Sequence, residues 1–362
     1  MAYLPLSTAN LPDPAIDPAQ GKEPTDYFNT VLYTGTGSAQ DITGVGFEPD
    51  FTWLKIRSSA DNHILYDRLR GTGVLYSNST ASERDDTSTD DFTFDSDGFA
   101  FTGGWNNING SGSTYVGWNW KANGSGVSNT DGSITSTVSA NTESGFSVIT
   151  WTGNGTNGAS VGHGLNQTPD LYIIKNRDAA ETWWVSGYPQ LSSVFSTAYK
   201  FLSLESTNAL STAGGTATTA TSTTIEFTDS GAATNEGSSD MVCYAFHSVE
   251  GFSKFSSYVG NGSADGPFVY TGFRPAFVMV KRTDTSEDWW IKDSVRGQYN
   301  PDDFNLFPNS SNAESTSNSG RYVDLLSNGF KPRGTNFGVN ASGGTYIYMA
   351  FAENPFKYSN AR

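Results

Sequence analysis

Tyr258–Gly262 reads YVGNG, and Tyr33–Gly37 (YTGTG) and Trp151–Gly155 (WTGNG) repeat its aromatic-x-Gly-x-Gly frame. Such a loop holds a phosphate when its glycines lead into a helix N-terminus or close on Lys-Ser/Thr. Neither follows here, and each loop gives way to another strand-like stretch. Gly35, Gly37, Gly153, Gly155, Gly260 and Gly262 are therefore expected to be turn glycines between strands.

What surrounds the loops recurs with them. Pro49, Pro169 and Pro275 follow the three aromatic residues at 16, 18 and 17 positions. An apolar run then closes on lysine six positions past each proline: DFTWLK to Lys55, DLYIIK to Lys175, AFVMVK to Lys281. Twelve positions further, Asp67 and Asp293 open an Asp-x-x-Arg-Gly with Arg70 and Arg296, where the middle stretch has Gly187. Closing strands begin at Tyr115 (YVGWNW), Met241 (MVCYAF) and Tyr346 (YIYMAF). Self-similarity at about 100 residues is too long for a solenoid and suits one β-sandwich per copy.

The expected architecture is all-β, with three homologous antiparallel jelly-roll or lectin-like sandwich units in tandem: 28–122, 145–249 and 250–362. An extended, Pro-rich arm over 1–27 precedes them, and a Ser/Thr/Asn/Gly-rich linker over 123–144 separates the first two. The short joint HSVEGFSK predicts that the second and third pack as a rigid pair. In the closing strands, Val116/Trp118/Trp120, Val242/Tyr244/Phe246 and Ile347/Met349/Phe351 alternate with smaller or more amphipathic residues. Alternation points the first set at a core and the second at a wetter surface or a neighbour. Leu191–Leu204 is a candidate short helix.

Composition narrows the function. The 362 residues include 21 Lys+Arg against 37 Asp+Glu, a net charge of −16, which repels nucleic acid and anionic membrane. Aromatics at 14% and 39 glycines fit turn-rich β structure. Cys243 is the only cysteine, so an intrachain disulfide is excluded. The opening segment lacks the basic and apolar regions of a signal peptide, and no apolar run is long enough to span a membrane as a helix.

Chemistry-bearing patterns are sparse. DSDG at Asp95–Gly98 begins like a calcium loop without its remaining ligands, so a tight turn is expected. His63, His163 and His247 stand singly and read as hydrogen-bonded turn or surface residues. The repeated Asp-x-x-Arg-Gly reads as an internal ion pair with a turn. No catalytic residue, metal ligand or cofactor is assigned. The pairs Trp183-Trp184 and Trp289-Trp290 place one ring on each strand face, so one of each, with Tyr346 and Tyr348, is a candidate glycan or subunit contact. The alternative is an outer ring covered by the neighbouring unit.

TSTVSANTESGFSVITWTGNGTNGASVGHGL, EGFSKFSSYVGNGSADGPFVYTGFRPAFVMVKR and GTYIYMAFAENPFKYSNAR resemble the repeat of tail-associated and other virion proteins of marine phages, cyanophages and prophages. The opening LPDPAIDPAQGKEPTDYFNTVLYTGTGS is similar to the start of those proteins. The resemblance spans nearly the whole chain, with the middle unit departing by its missing Asp-x-x-Arg-Gly. It implies a non-enzymatic structural protein of the virion, tail-associated or capsid-decorating, assembled in the host cytoplasm. Its expected partners are other virion proteins and copies of itself, threefold by virion context. The arm is expected to anchor the chain, and a glycan-binding receptor module is the alternative function.

Overall fold

The computed structural model describes residues 11–85, 92–228, 231–316 and 320–359. Almost all regular structure is β, and the ladders between strands are antiparallel. Three stretches of chain each build a large sheet around a closing strand. In the first, Thr114–Trp120 lies between Phe28–Thr34 and Phe51–Ile56, and His63–Asp67 and Gly73–Tyr76 continue the order. In the second, Asp240–Phe246 lies between Phe146–Thr152 and Leu171–Asn176. In the third, Thr345–Pro355 lies between Ser253–Val259 and Phe273–Arg282, with Trp289–Asp293 beyond. Each stretch also forms a three-stranded sheet, centred on Gly98–Phe101, Thr224–Phe227 and Gly329–Pro332.

The closing strands are buried on both faces, so neither of their sides lies on a wetter surface. Trp118, Trp120, Tyr244, Phe246, Met349 and Phe351 share one apolar cluster drawn from all three stretches. Phe51 stacks on Tyr244 at 4.3 Å, Phe28 on Phe351 at 5.1 Å, and Phe246 meets Phe351 edge-on at 6.1 Å. The set expected on a core does lie in one, shared with the neighbouring stretches. The interleaved set, expected on a wetter surface or against a neighbour, faces its own small sheet: Cys243 and Ala245 cluster with Trp184 and Phe227, and a Cβ on Gly117 would touch Leu54, Phe99 and Val31. At the centre, Phe51, Trp53, Trp120, Ile173, Tyr244, Phe277 and Met349 leave about 10 Å³ free. An apolar void of that size stays dry.

Three expectations are corrected. The 123–144 linker is not a spacer: Val127–Asn129 and Ser136–Asn141 pair in turn onto the edge strand Phe146–Thr152, extending the second large sheet. The first stretch shares one apolar cluster with the second and third. Residues 11–27 do not run free. Ile16 is fully buried in the shared cluster, short 3₁₀ turns form at Pro18–Gln20 and Pro24–Asp26, and Ala15 N–H donates to Glu250 O at 3.2 Å. Proline at the start of each turn suits the fixed φ of its ring. The rest of the arm lies outside the described residues. Leu191–Leu204 is a run of turns ending in the strand Lys200–Ser203; the helical turns lie at Asn106–Asn109, Ala232–Asn235 and Phe337–Asn340.

Candidate functional site

The six loop glycines meet those helical turns. Gly35, Gly153 and Gly260 press so closely that an added Cβ would stand 2.4, 2.1 and 2.3 Å from the carbonyl oxygens of Gly110, Glu236 and Ala341. Gly37, Gly155 and Gly262 have φ of 73°, 63° and 68°, where a side chain is strained. Each turn ends on a buried asparagine. Asn109, Asn235 and Asn340 accept the N–H of Thr36, Asn154 and Asn261 on Oδ1, at 2.9, 3.2 and 2.8 Å. The N–H groups that might have held an anion are thus taken within the chain. Pro49 and Pro169 lie two residues before their strands, and Pro275 sits at a bulge in its own, positions where a missing N–H is harmless.

Polar residues with the most regular spacing converge between the stretches. Lys55, Lys175 and Lys281 are fully buried. Lys55 Nζ donates to Ile56 O at 2.8 Å and Ser311 O at 3.4 Å, the latter in the third stretch. Lys175 donates to Asn176 O at 2.7 Å and, in the first stretch, Thr80 O at 3.0 Å. Lys281 donates to Glu287 O at 2.6 Å and, in the second, Thr207 O at 3.0 Å. The contacts run first to third, third to second and second to first, a closed ring. Burial pulls each ammonium down to about 8, against the opposing pull of nearby carboxylates.

The same ring carries the Asp-x-x-Arg pairs. The buried Asp67 carboxylate is paired with Arg70 and accepts the N–H of Leu69 at 3.1 Å and of Arg70 at 3.0 Å. Tyr244, from the second stretch, donates its hydroxyl to Asp67 Oδ2 at 2.7 Å. Arg70 reaches Glu83 at 2.6 Å, and Glu83 takes Arg177 of the second stretch at 2.7 Å. Between the first and third stretches the pattern repeats: Trp118 Nε1 donates to Asp293 Oδ2 at 3.0 Å, Arg296 reaches Glu314 at 2.9 Å, and Glu314 takes Arg57 at 2.7 Å.

The third contact replaces every member. Met349 stands where Trp118 and Tyr244 do, and Gly187 and Gln190 stand where Asp67 and Arg70 do. Leu210 and Thr283 replace the Glu–Arg partners, a correspondence fixed by one backbone bond. Glu83 N–H donates to Arg177 O at 2.6 Å, Glu314 N–H to Arg57 O at 2.9 Å, and Leu210 N–H to Thr283 O at 2.9 Å. Buried Leu191 fills the space over Gly187, its Cδ1 2.9 Å from where a Cβ would stand.

Residues 23–355 match the model of a family described as a domain of unknown function, DUF7483. The chain belongs to that family. No curated protein and no solved structure matches it. The matched span includes all three stretches, so the whole ring of contacts lies within the DUF7483 domain.

Inside that domain the candidate glycan contacts are corrected. Trp183, Trp184, Trp289, Trp290, Tyr346 and Tyr348 are all buried. Each tryptophan pair does split across its strand. Trp183 Nε1 donates to Tyr76 O at 2.9 Å and Trp289 Nε1 to Ser203 O at 2.9 Å, both across a contact between stretches. Trp184 and Trp290 turn inward, to Thr218 Oγ1 and Gly338 O at 3.0 Å each. Tyr346 donates to Phe337 O at 2.7 Å. No external sugar reaches these rings.

The remaining groups are likewise held. Asp97 of the DSDG turn accepts the N–H of Gly44 at 3.0 Å and of Gly46 at 2.7 Å, which lowers its pKa. The three histidines are buried rather than on the surface; His63 Nδ1 accepts from Trp53 Nε1 at 2.9 Å, and burial draws His163 down to about 4. Burial pushes the Cys243 thiol up, away from a reactive thiolate. A general base or nucleophile must reach its substrate, and the three histidines and Cys243 are enclosed. Sequence spacing found the Asp–Arg pairs but missed Glu83 and Glu314, which follow Arg70 and Arg296 at unequal distances of 13 and 18 residues. Lys-x-Arg at Lys55/Arg57 and Lys175/Arg177 was the available signal for the other partners.

Proposed function

We propose that this DUF7483 chain is three copies of one antiparallel, jelly-roll-like sandwich unit closed into a ring. It serves as a non-enzymatic structural protein of a phage particle, tail-associated or decorating the capsid, docking onto other virion proteins and copies of itself. The observation that supports this reading most is the use made of its regularly placed lysines, aspartates and arginines. They are spent on bonds between stretches of the chain, where they hold shape. The virion-protein resemblance of the long motifs points the same way. Because the chain's own sheets fill the axis, association with further copies, threefold or otherwise, uses the outer surface. An electron-microscopy map of the intact particle tests the proposal: density for the ring at fixed positions on tail or capsid is expected, and purified particles devoid of the chain overturn it.

A glycan-binding role keeps one supporting observation, now at a different place. Tyr270 is 53% exposed, Lys254 Nζ stands 5.1 Å from its ring centroid, and both line a surface groove of about 410 Å³ with Ser253 and Thr271. Exposed aromatic rings stack on sugars. Binding on a glycan array that disappears in Tyr270→Ala supports this role, and binding that survives it removes the role from this groove.

A further inference from the structure

Lys292 and Asp302 form the most enclosed cation–carboxylate contact that the inter-stretch network does not use. Both side chains are fully buried, with Nζ 3.6 Å from Asp302 Oδ1 and 3.0 Å from the Asp302 carbonyl oxygen. Lys292 belongs to the large-sheet strand Trp289–Asp293, on the inward face with Trp290 by alternation. Asp302 is tied to the opposite sheet: its N–H donates to Val323 O at 2.7 Å and its carbonyl accepts from Val323 N–H at 3.1 Å, at the start of Val323–Leu326. The corresponding positions hold Tyr66, stacked on Phe92 at 4.1 Å, and Ser186. The pair therefore belongs to the third stretch alone.

We infer that Lys292 Nζ and Asp302 Cγ condense into an intramolecular isopeptide bond that joins the two sheets of the third sandwich. The ammonium first passes a proton to the carboxylate, giving a neutral amine and a carboxylic acid. The nitrogen lone pair forms the N–Cγ bond, the Cγ–Oδ2 bond breaks, and Oδ2 leaves as water with the acid proton and one amine proton. A neutral amide with a single N–H remains, and atoms and charge balance without a co-reactant.

The carboxyl group is placed for this. Oδ1 accepts the Phe304 N–H at 2.8 Å, a donor that polarises Cγ and steadies the oxyanion of the tetrahedral intermediate. Oδ2 is buried with no hydrogen-bond partner among the described residues, so its departure costs no hydrogen bond. A Cβ on Gly297 would stand 2.2 Å from Asp302 Cγ; glycine there lets the carboxyl sit where it does. Burial also favours the reactive form. It draws Lys292 down to about 8 and pushes Asp302 up to about 6, so burial moves the two groups towards the neutral amine and carboxylic acid that react. The product replaces two buried charges, whose desolvation is costly.

Denaturing intact-mass spectrometry of the full chain tests the bond. The expected mass is lower than the sequence mass by one water. Trypsin then fails to cut after Lys292, yielding a branched species that joins residues 283–296 to 297–321. Lys292→Met and Asp302→Ala restore the full mass of their sequences, folded or not. A wild-type chain at full sequence mass, with ordinary cleavage after Lys292, overturns the proposal. So does a missing water that persists in Lys292→Met.

Discussion

Two of the three contacts around the ring are ionic and one is apolar, although the same backbone bond defines all three. Where the neighbour presents Tyr244 or Trp118, the receiving strand ends in aspartate, backed by arginine, glutamate and a second arginine. Where it presents Met349, the receiving strand ends in Gly187 and leucines fill the space. The donor and the acid are present together or absent together. The physical reason is the asymmetry of buried polar groups: a carboxylate without its donors, or a donor without its acceptor, costs more than the paired interaction returns. The missing Asp-x-x-Arg-Gly is thus one end of a change whose other end lies 162 positions away at Met349. The ionic contacts specify alignment, and the apolar one needs only volume.

The sharpest way to break this contrast is to strip one member from an ionic contact. Arg296→Ala leaves Asp293 and Glu314 buried with half their partners, and a loss of about 3–5 kcal/mol in urea unfolding is expected. Gln190, at the corresponding position, is exposed, and Gln190→Ala is expected to stay within about 0.5 kcal/mol. Equal losses would show that the two contacts do not differ in kind.

A second, somewhat smaller effect concerns what all three contacts share. Lys55, Lys175 and Lys281 titrate near 8 when folded, against an ordinary 10.5. Between those values the unfolded chain holds more protons than the folded one, so stability rises with pH from about 8 towards 10; below 8 the penalty of the buried ammonium is fully present. Each lysine adds about 1.4 kcal/mol per pH unit within the window. Above 10 the trend reverses, because burial raises Tyr33, Tyr244 and Tyr258 and the unfolded tyrosines ionise first. Urea midpoints at pH 8.0, 8.75 and 9.5 should therefore climb, and Lys281→Met should flatten the slope by one proton. Lys55→Met should flatten it equally, whether the contact is ionic or apolar.

How much of this was legible follows from what is local. The β character, the loop glycines and the Asp–Arg pairs lie within short windows of fixed spacing, and each could be read from the chain. The partners could not. Nothing near Asp293 names Trp118 as its donor, because that pairing depends on how separate sheets face one another. The same limit applies to the tryptophan pairs: strand alternation gives Trp289-Trp290 two faces and leaves both an open and a covered outer ring possible, and only the neighbouring sheet makes both faces interiors. Ser136–Asn141 has the composition of a linker, because Ser, Thr and Asn dominate it. Its place in the sheet comes from the unpaired edge of Phe146–Thr152, a tertiary cause that outweighs weak strand propensity.

The smallest expected effects separate the contacts most cleanly, since they change one atom or a branch point at equivalent positions. Tyr244→Phe keeps the ring stacked on Phe51 and deletes a hydroxyl bonded to both Asp67 and Arg70. Asp67 retains Arg70 and two backbone N–H groups, so the loss should be about 1.5 kcal/mol, the scale of one hydrogen bond to a charged group. Met349→Leu conserves volume in a wall that has no polar partner to lose, and should cost under about 1 kcal/mol. Combining Tyr244→Phe with Asp67→Ala should then cost less than the two losses added, because one partner's removal has already broken the shared bond. Additive losses in that cycle would mean that Tyr244 and Asp67 meet without depending on each other. In that case their joint absence from the apolar contact would have no energetic cause.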